Sequence, residues 1–402
     1  MVTDIGDNSS FSLRRLLSSS LIIMVLTHML VHAAGNMRST LYPVLKEEFS
    51  LSNQQIGLIV AIPSLCQFLF TVPSGMVSDR LGARKLIAAS ILLAALGAFL
   101  GSVSMTPWMY ILASTLLILC STIYHPPAQS YVSNIMSPQD RSRALGIWHS
   151  GGTTGVSLGP ISITILMGIL AFTWREIYNF WIIPILLGLV ALYFVKPPTE
   201  IVKMEERESW DEGEAVDTLL NTNMIFLLLS GTVRRFGGGL TTGFLSIWLV
   251  ETQRWTISQI GVMLGISSLI GIIASPLGGE LTSRYGEKRW YVGTLFASYV
   301  FFAIAFFLKG YWPFMITYIT HRFFGILGMP ANMTLTARFS PTRQRGVGFA
   351  LSSIPVNIVR PIAAIAAAYI ADKYGLYPIF LTTAVIYFVG LGILHTGVQI
   401  KN

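Results

Sequence analysis

The chain states one pattern twice. Gly57 in Gln-Gln-Ile-Gly and Gly261 in Ser-Gln-Ile-Gly stand 204 positions apart, and the same offset relates Arg80 and Gly82 to Arg284 and Gly286, and Pro126 to Pro330. Further along the register slips by one or two residues, yet Ser137-Pro138 with Arg141 and Arg143 still answers Ser340-Pro341 with Arg343 and Arg345. Solenoid repeats run to roughly 20–50 residues, so a period this long marks a duplicated half. The fold must be built from two related bodies.

Composition identifies the solvent around them. Of the residues 53% are hydrophobic and 11% charged, with mean hydropathy +0.63, whereas a soluble domain is about a quarter charged. A chain with so few charges needs lipid around it. The net charge of +8 would suggest nucleic acid in a soluble protein; here the placement of the bases matters more than their sum, and no nucleic-acid partner is expected. Cys66 and Cys120 sit in apolar runs, which gives no disulfide framework and no metal site, and nothing in the sequence calls for a cofactor.

A helix needs about 20 mainly apolar residues to cross the hydrocarbon core. Twelve such runs are predicted: Leu17 to Leu41, Ile56 to Val77, Leu86 to Val103, Trp108 to Ile135, Ala144 to Phe172, Tyr178 to Val195, Asn223 to Leu249, Ile260 to Leu281, Tyr291 to Leu308, Phe314 to Phe339, Val347 to Tyr369 and Tyr377 to His395. Arg14 and Arg15 precede the first without a small-residue cleavage site, so that span is expected to stay in the membrane. Pro197-Pro198 stops a helix, and the charge run from Glu205 to Glu214 follows as a solvated tether. The expected organisation is a six-helix bundle over 1–195, a linker over 196–222 and a second six-helix bundle over 223–402.

Orientation follows from lysine and arginine bias in short loops. One side holds Arg14, Arg15, Arg80, Arg84, Lys85, Arg141, Arg143, Lys196, Lys203, Arg207, Arg284, Lys288, Arg289, Arg338, Arg343, Arg345 and Lys401; the other holds Lys46, Arg175, Arg254, Lys309 and Lys373. Both termini are therefore expected to be cytoplasmic, in a multi-pass protein of the inner membrane. An even number of spans requires that the termini share a side.

The segment Gly75-Met-Val-Ser-Asp79-Arg80-Leu-Gly82-Ala-Arg84-Lys85 lies between the second and third spans. Together with twelve spans in two halves and a long central loop, it resembles the signature of the major facilitator superfamily, Gly-x-x-x-Asp-Arg-x-Gly-x-Arg-Lys. Gly75 permits close helix packing, Gly82 a tight turn, and Asp79 accepts charge-assisted hydrogen bonds. The second copy, Gly279 to Arg289, has Ser283 where the first has Asp79, with Glu280 nearby as a substitute acid. Gly151, Gly155 and Gly159-Pro160 are similar to part of the antiporter Gly-Pro motif, but spacing by four also makes a close-packing helix face, and packing is the expected role. The resemblance implies an all-α fold in which spans one, four, seven and ten line a central cavity while three, six, nine and twelve face lipid.

The polar residues fall on the cavity set. His28, His32, Asn36 and Arg38 lie on the first span, Tyr124 and His125 on the fourth, Arg234 and Arg235 on the seventh, His321 and Arg322 on the tenth; Arg360 lies on the eleventh. No aspartate or glutamate is comparably deep. A charge at the helix centre costs about 2.5–3.5 kcal/mol on insertion scales, so those retained face a cavity. Arg38 follows the apolar run closely, which leaves open both a cavity position and a reach to the interface.

Arginines without a compensating acid attract an anion, because guanidinium binds carboxylate or phosphate bidentately. The expected substrate-binding set is Arg234, Arg235, Arg322, Arg38, His32, Asn36, Tyr124, His125, His321 and Arg360, with adjacent Arg234 and Arg235 pointing about 100° apart. The expected function is secondary active transport of a small organic or inorganic anion by a single chain, with a proton or counter-anion as coupling partner. An exporter of amphiphilic, drug-like or lipid-like compounds is the competing reading. An enzyme is not expected, since neither a Walker A loop nor a His-Glu-x-x-His zinc motif occurs.

Overall fold

The computed structural model describes residues 18–135, 138–195, 218–341 and 345–400; within these, the side chains at 72, 75–81, 134, 138–143, 345–350 and 352–357 lie outside the description. All regular structure among the described residues is helical. The sixteen helices are α1 (Ser19–Asn36), α2 (Arg38–Glu48), α3 (Asn53–Leu81), α4 (Ala83–Ser102), α5 (Pro107–Asn134), α6 (Pro138–Leu166), α7 (Trp174–Leu192), α8 (Thr222–Thr242), α9 (Leu245–Glu251), α10 (Ile257–Leu269), α11 (Gly271–Tyr285), α12 (Glu287–Ala305), α13 (Tyr311–Leu327), α14 (Met329–Arg338), α15 (Arg345–Tyr374) and α16 (Tyr377–Gly397). Four pairs, α1/α2, α8/α9, α10/α11 and α13/α14, run on as single interrupted rods, so twelve rods result.

Hydropathy alone makes the interrupted spans continuous. The chain pauses at Gly243 between α8 and α9, and at Gly328, just ahead of Pro330, between α13 and α14. Glycine carries no side chain to stabilise a helix and proline no N–H, so each loosens the local ladder. The first rod also runs past its apolar stretch to Glu48. Among the described residues seven helical stretches are long and apolar enough to cross a membrane; the other rods carry His149, Arg234 and Arg235, the Glu287-Lys288-Arg289 run, His321 and Arg322, or Arg360.

The duplication is visible as repeated local geometry. Ser52 and Thr256 each start a helix with a reciprocal capping box. Gln55 N–H donates to Ser52 Oγ at 3.2 Å and Ser52 N–H to Gln55 Oε1 at 2.9 Å; Gln259 and Thr256 repeat both distances. Five residues after each cap stands Gly57 or Gly261. Gly82 and Gly286 turn the chain with φ of +82° at both, a left-handed backbone that favours glycine.

Large apolar side chains are left outside on many rods, those expected to face lipid included. Leu92, Leu96 and Phe99 on α4, Ile183, Leu187 and Val190 on α7, Phe296 on α12, and Val385 and Val389 on α16 are exposed, a patchwork too apolar for water. These are the third, sixth, ninth and twelfth rods.

The halves meet at the end of the rods away from the chain ends, here the distal end. There α3 packs on α15 and α6 on α10. A Cβ at Gly57 would meet Ala368 Cβ at 2.8 Å, and one at Gly261 would meet the Pro160 carbonyl at 2.6 Å. The Thr164 hydroxyl donates to Ser258 O at 3.0 Å, and Lys46 pairs with Glu251 at 2.7 Å. The same glycine of the repeat thus seals the seam on both sides.

Gly151, Gly155 and Gly159 face α1, where a Cβ would run into the carbonyls of Val25, Met29 and Ala33 respectively. The expected packing role of this stripe is what the crossing displays. At the opposite, proximal end the side chains of Gly75, Asp79 and Arg80 lie outside the described residues, as do 196–217 of the linker. Arg84 donates to Tyr193 O at 2.7 Å, and Lys85 is exposed. In the second copy Glu280 accepts from Arg284 at 2.7 Å, and Arg338 pairs with Glu287 at 3.0 Å.

Candidate functional site

A cavity of about 700 Å³ opens in the second half, lined from Leu245 and Ser246 toward Asn332 and Thr336 at the proximal end. Four arginines, Arg234, Arg235, Arg322 and Arg360, reach it from α8, α13 and α15, with His321 among them. Among the described residues no aspartate or glutamate lines it. Ser298, Asn332 and Thr336 add neutral hydrogen-bonding groups, and Tyr291, Tyr299, Tyr318 and Tyr387 form aromatic walls.

The four guanidinium groups are held differently. Arg234 is half-buried and tied on all sides: Nη2 donates to Tyr291 Oη at 2.8 Å, Nη1 to Tyr299 Oη at 3.4 Å, and Nε to Ser230 at 3.2 Å. Gly390 leaves the space through which its stem passes, since a Cβ there would strike Arg234 Cγ. Arg235, one residue on and turned about 100°, is exposed to the cavity, as is Arg322. Arg322 makes no hydrogen bond or ion pair to another described residue. Adjacent His321 is buried between α12 and α13, where Nδ1–H donates to Ser298 O at 2.8 Å and the Ser298 hydroxyl donates to His321 O at 3.0 Å.

Arg38 and Arg360 are close enough across the seam between halves to repel one another electrostatically, and Tyr42 lies in the field of both. The rod continues ten residues beyond Arg38 to Glu48, roughly 15 Å at the rise of an α-helix, so Arg38 is half-buried inside the bundle and not at the interface. Arg360 also lies in the field of Arg235. Positive charge therefore extends from the cavity to the seam.

The first-half residues do not join this cavity. Among the described residues of that half, Ser39 alone lines it. Tyr124 is fully buried, its hydroxyl donating to Met24 O at 3.0 Å and bonded to Thr27 Oγ1 at 2.9 Å. The Asn36 amide donates to His32 O at 2.7 Å. His32 and His125 instead form a compact group with His28, whose ring stacks on Trp148 at 4.1 Å. Sequence reasoning misses Trp148 and His149; the one signal for them is their adjacency in a rod otherwise rich in glycine. Cys66 and Cys120 are both free thiols.

Comparison with known proteins gives a consistent picture. The family described as "Major Facilitator Superfamily" matches over residues 24–233 and again over 227–397. A Na(+), Li(+), K(+)/H(+) antiporter of Planococcus maritimus is 19% identical over 77% of this chain and 80% of its own length. The class C tetracycline resistance protein of Escherichia coli is 25% identical over 70% and 71%. Among solved structures, a bacterial homolog of the human lysosomal transporter Spinster, inward-facing and occupied, superposes with a TM-score of 0.76 at 15% identity, covering 93% of this chain and 95% of that one.

Proposed function

Because the chain belongs to the major facilitator superfamily, a family of transporters and not of enzymes, we propose that it moves a small organic or inorganic anion across the cytoplasmic membrane by alternating access. The observation that carries this reading is the cavity with four arginines and, among the described residues, no acidic lining residue. Charges held at depth without a compensating acid cost several kcal/mol in total, and an anionic ligand offsets that cost. Arg235 and Arg322, exposed and on different helices, grip the anion with their planar forks. Arg234 stands behind them, clamped by Tyr291 and Tyr299, and Arg360 with Arg38 keeps the seam positive.

Residues 1–195 and 223–402 act as the two rocking bodies, with 196–222 as their tether. The sealed distal seam and the proximally directed cavity correspond to an inward-facing state, with the chain ends and the basic loops of Arg84, Lys85, Arg284, Lys288, Arg289 and Arg338 in the cytoplasm. Counter-anion exchange or proton coupling drives the cycle. The deciding experiment is a thermal-shift and uptake screen with mono-, di- and tricarboxylates, phosphate esters, nitrate and sulfonates, since a ligand specific to the folded state raises its melting temperature. Stabilisation by one class that disappears in Arg322→Gln supports the reading; normal transport by well-folded Arg235→Gln and Arg322→Gln variants overturns it.

The aromatic walls favour a second reading, export of amphiphilic, drug-like or lipid-like compounds, in keeping with the tetracycline-resistance relative. Stabilisation by such compounds, without competition from small anions, selects it.

A further inference from the structure

We infer that His28, His32 and His125 form a binding site for a first-row divalent transition-metal ion of the zinc type, inside the first half and separate from the arginine cavity. His28 Nε2 and His125 Nε2 stand 3.2 Å apart, and His32 Nε2 stands 3.3 Å from His125 Nε2. Two nitrogens bound to one tetrahedral zinc at about 2.0–2.1 Å lie about 3.3–3.4 Å apart, which matches both separations. The widest pair is within 4.8 Å, so one ion on all three nitrogens requires the rings to draw closer together.

The outer hydrogen bonds decide what the cluster presents. His28 Nδ1 lies 2.8 Å from the Trp148 carbonyl, and His125 Nδ1 lies 2.6 Å from the Ser121 carbonyl. A carbonyl only accepts, so both Nδ1 atoms carry their protons, and in the neutral rings both Nε2 atoms are bare lone pairs. Two lone pairs aimed at each other across 3.2 Å repel unless a cation sits between them. Fixing imidazole by a second-shell carbonyl is also how metal-binding histidines are oriented.

The surroundings keep the rings in place. Gly152 leaves room for His28, because a Cβ there would lie 2.6 Å from Nε2. The His28 ring stacks on Trp148, at 4.1 Å, and packs beside Tyr124, at 5.5 Å. Three neutral imidazoles without a thiolate favour zinc, cobalt, nickel or copper over magnesium or calcium, which prefer oxygen. They also leave a fourth position for water or an anion. The alternative without metal is a proton shared by the His28 and His125 pair, or His32 Nε2–H donating to His125 Nε2 at 3.3 Å, and the experiment below separates both from a bound ion.

The test uses the full-length protein, purified in detergent with any polyhistidine tag removed and treated with chelator, then titrated with Co²⁺ as a spectroscopic probe. One equivalent of Co²⁺ is expected to give the visible d–d bands of tetrahedral coordination, displaced by Zn²⁺. His125→Gln, which removes the shared nitrogen, is expected to abolish the bands and weaken Zn²⁺ binding by more than the about 10–100-fold that losing an outer-shell partner costs. His32→Ala is expected to do the same, and His395→Gln to change nothing; size-exclusion profiles exclude misfolding of the variants. The inference is overturned if the wild type binds no stoichiometric Co²⁺, if a folded His125→Gln variant keeps the bands, or if ¹⁵N spectra display a protonated histidine pair while Zn²⁺ leaves the rings unmoved. None of these outcomes depends on which solute the arginine cavity carries.

Discussion

At the scale of single residues, the four cavity arginines separate by what holds them. Arg322→Gln and Arg235→Gln are expected to cost on the order of 2–5 kcal/mol of anion affinity, by leaving a buried anion without its partner, while Arg→Lys at either position costs less because charge survives and only the fork is lost. Arg234→Lys should act mainly on stability. Its hydrogen bonds to Tyr291 and Tyr299 contribute about 1.5–3 kcal/mol each as charge-assisted bonds. Calorimetry on the anion, run beside thermal unfolding, separates the two effects. An Arg234 variant that loses affinity at unchanged melting temperature contradicts this division. The depth of these arginines was legible in the sequence, since a charge set among some twenty apolar residues has to face the bundle interior or a water-filled cavity. Their division of labour was not, because the tyrosines that clamp Arg234 lie 57 and 65 positions away. The histidine tautomers were hidden for the same reason, resting on a Trp148 carbonyl 120 positions from His28.

At the scale of helices, the interrupted rods and the close crossings matter most. Where α6 passes α1, Gly155→Ala would drive a methyl into the Met29 carbonyl and to 2.9 Å from His32 Cβ, and overpacking of this kind costs about 1–3 kcal/mol. A drop in melting temperature is expected, and none is expected for Gly146→Ala, where a Cβ meets nothing within 4 Å. Equal melting temperatures for the two variants would remove the crossing from the account of stability. The number and order of rods could be read in advance because span length is set by bilayer thickness. The pauses at Gly243 and Gly328 escaped that reading, since a hydropathy window averages over a local break.

At the scale of the whole molecule, the distal seam decides which way the cavity opens. Gly261→Ala is expected to wedge α10 away from Pro160 and Thr164, moving the population toward the outward-open state. Lys46→Gln should do so mildly: the pair with Glu251 is partly exposed, with side chains 19% and 46% accessible, so about 0.2–1 kcal/mol is at stake, no more than about a five-fold shift. Spin-label distances across the seam measure both; a seam that stays shut in Gly261→Ala refutes its role as the closing contact. Asp79→Asn is expected to slow exchange between the two states while leaving ligand affinity near its original value, since the signature loop lies about half a membrane from the midplane. The duplication predicted two related bodies, and the repeated caps and turns agree, but their relative tilt is a property of packing that no single helix encodes.

The seam also has a mechanical character. Where glycine meets Ala368 on one side and the Pro160 carbonyl on the other, closure ends against hard backbone surfaces, and the Lys46–Glu251 pair and the Thr164 hydrogen bond to Ser258 supply only modest adhesion. Such a joint behaves as a doorstop with a gasket: the close contacts fix how far the two bodies swing, and the apolar side chains of Ile56, Val60, Phe244 and Ile247, buried in one cluster with Ala364 and Ala368, hold them there. Opening exposes that apolar surface, which sets an expectation of a rise in heat capacity for the conformational step.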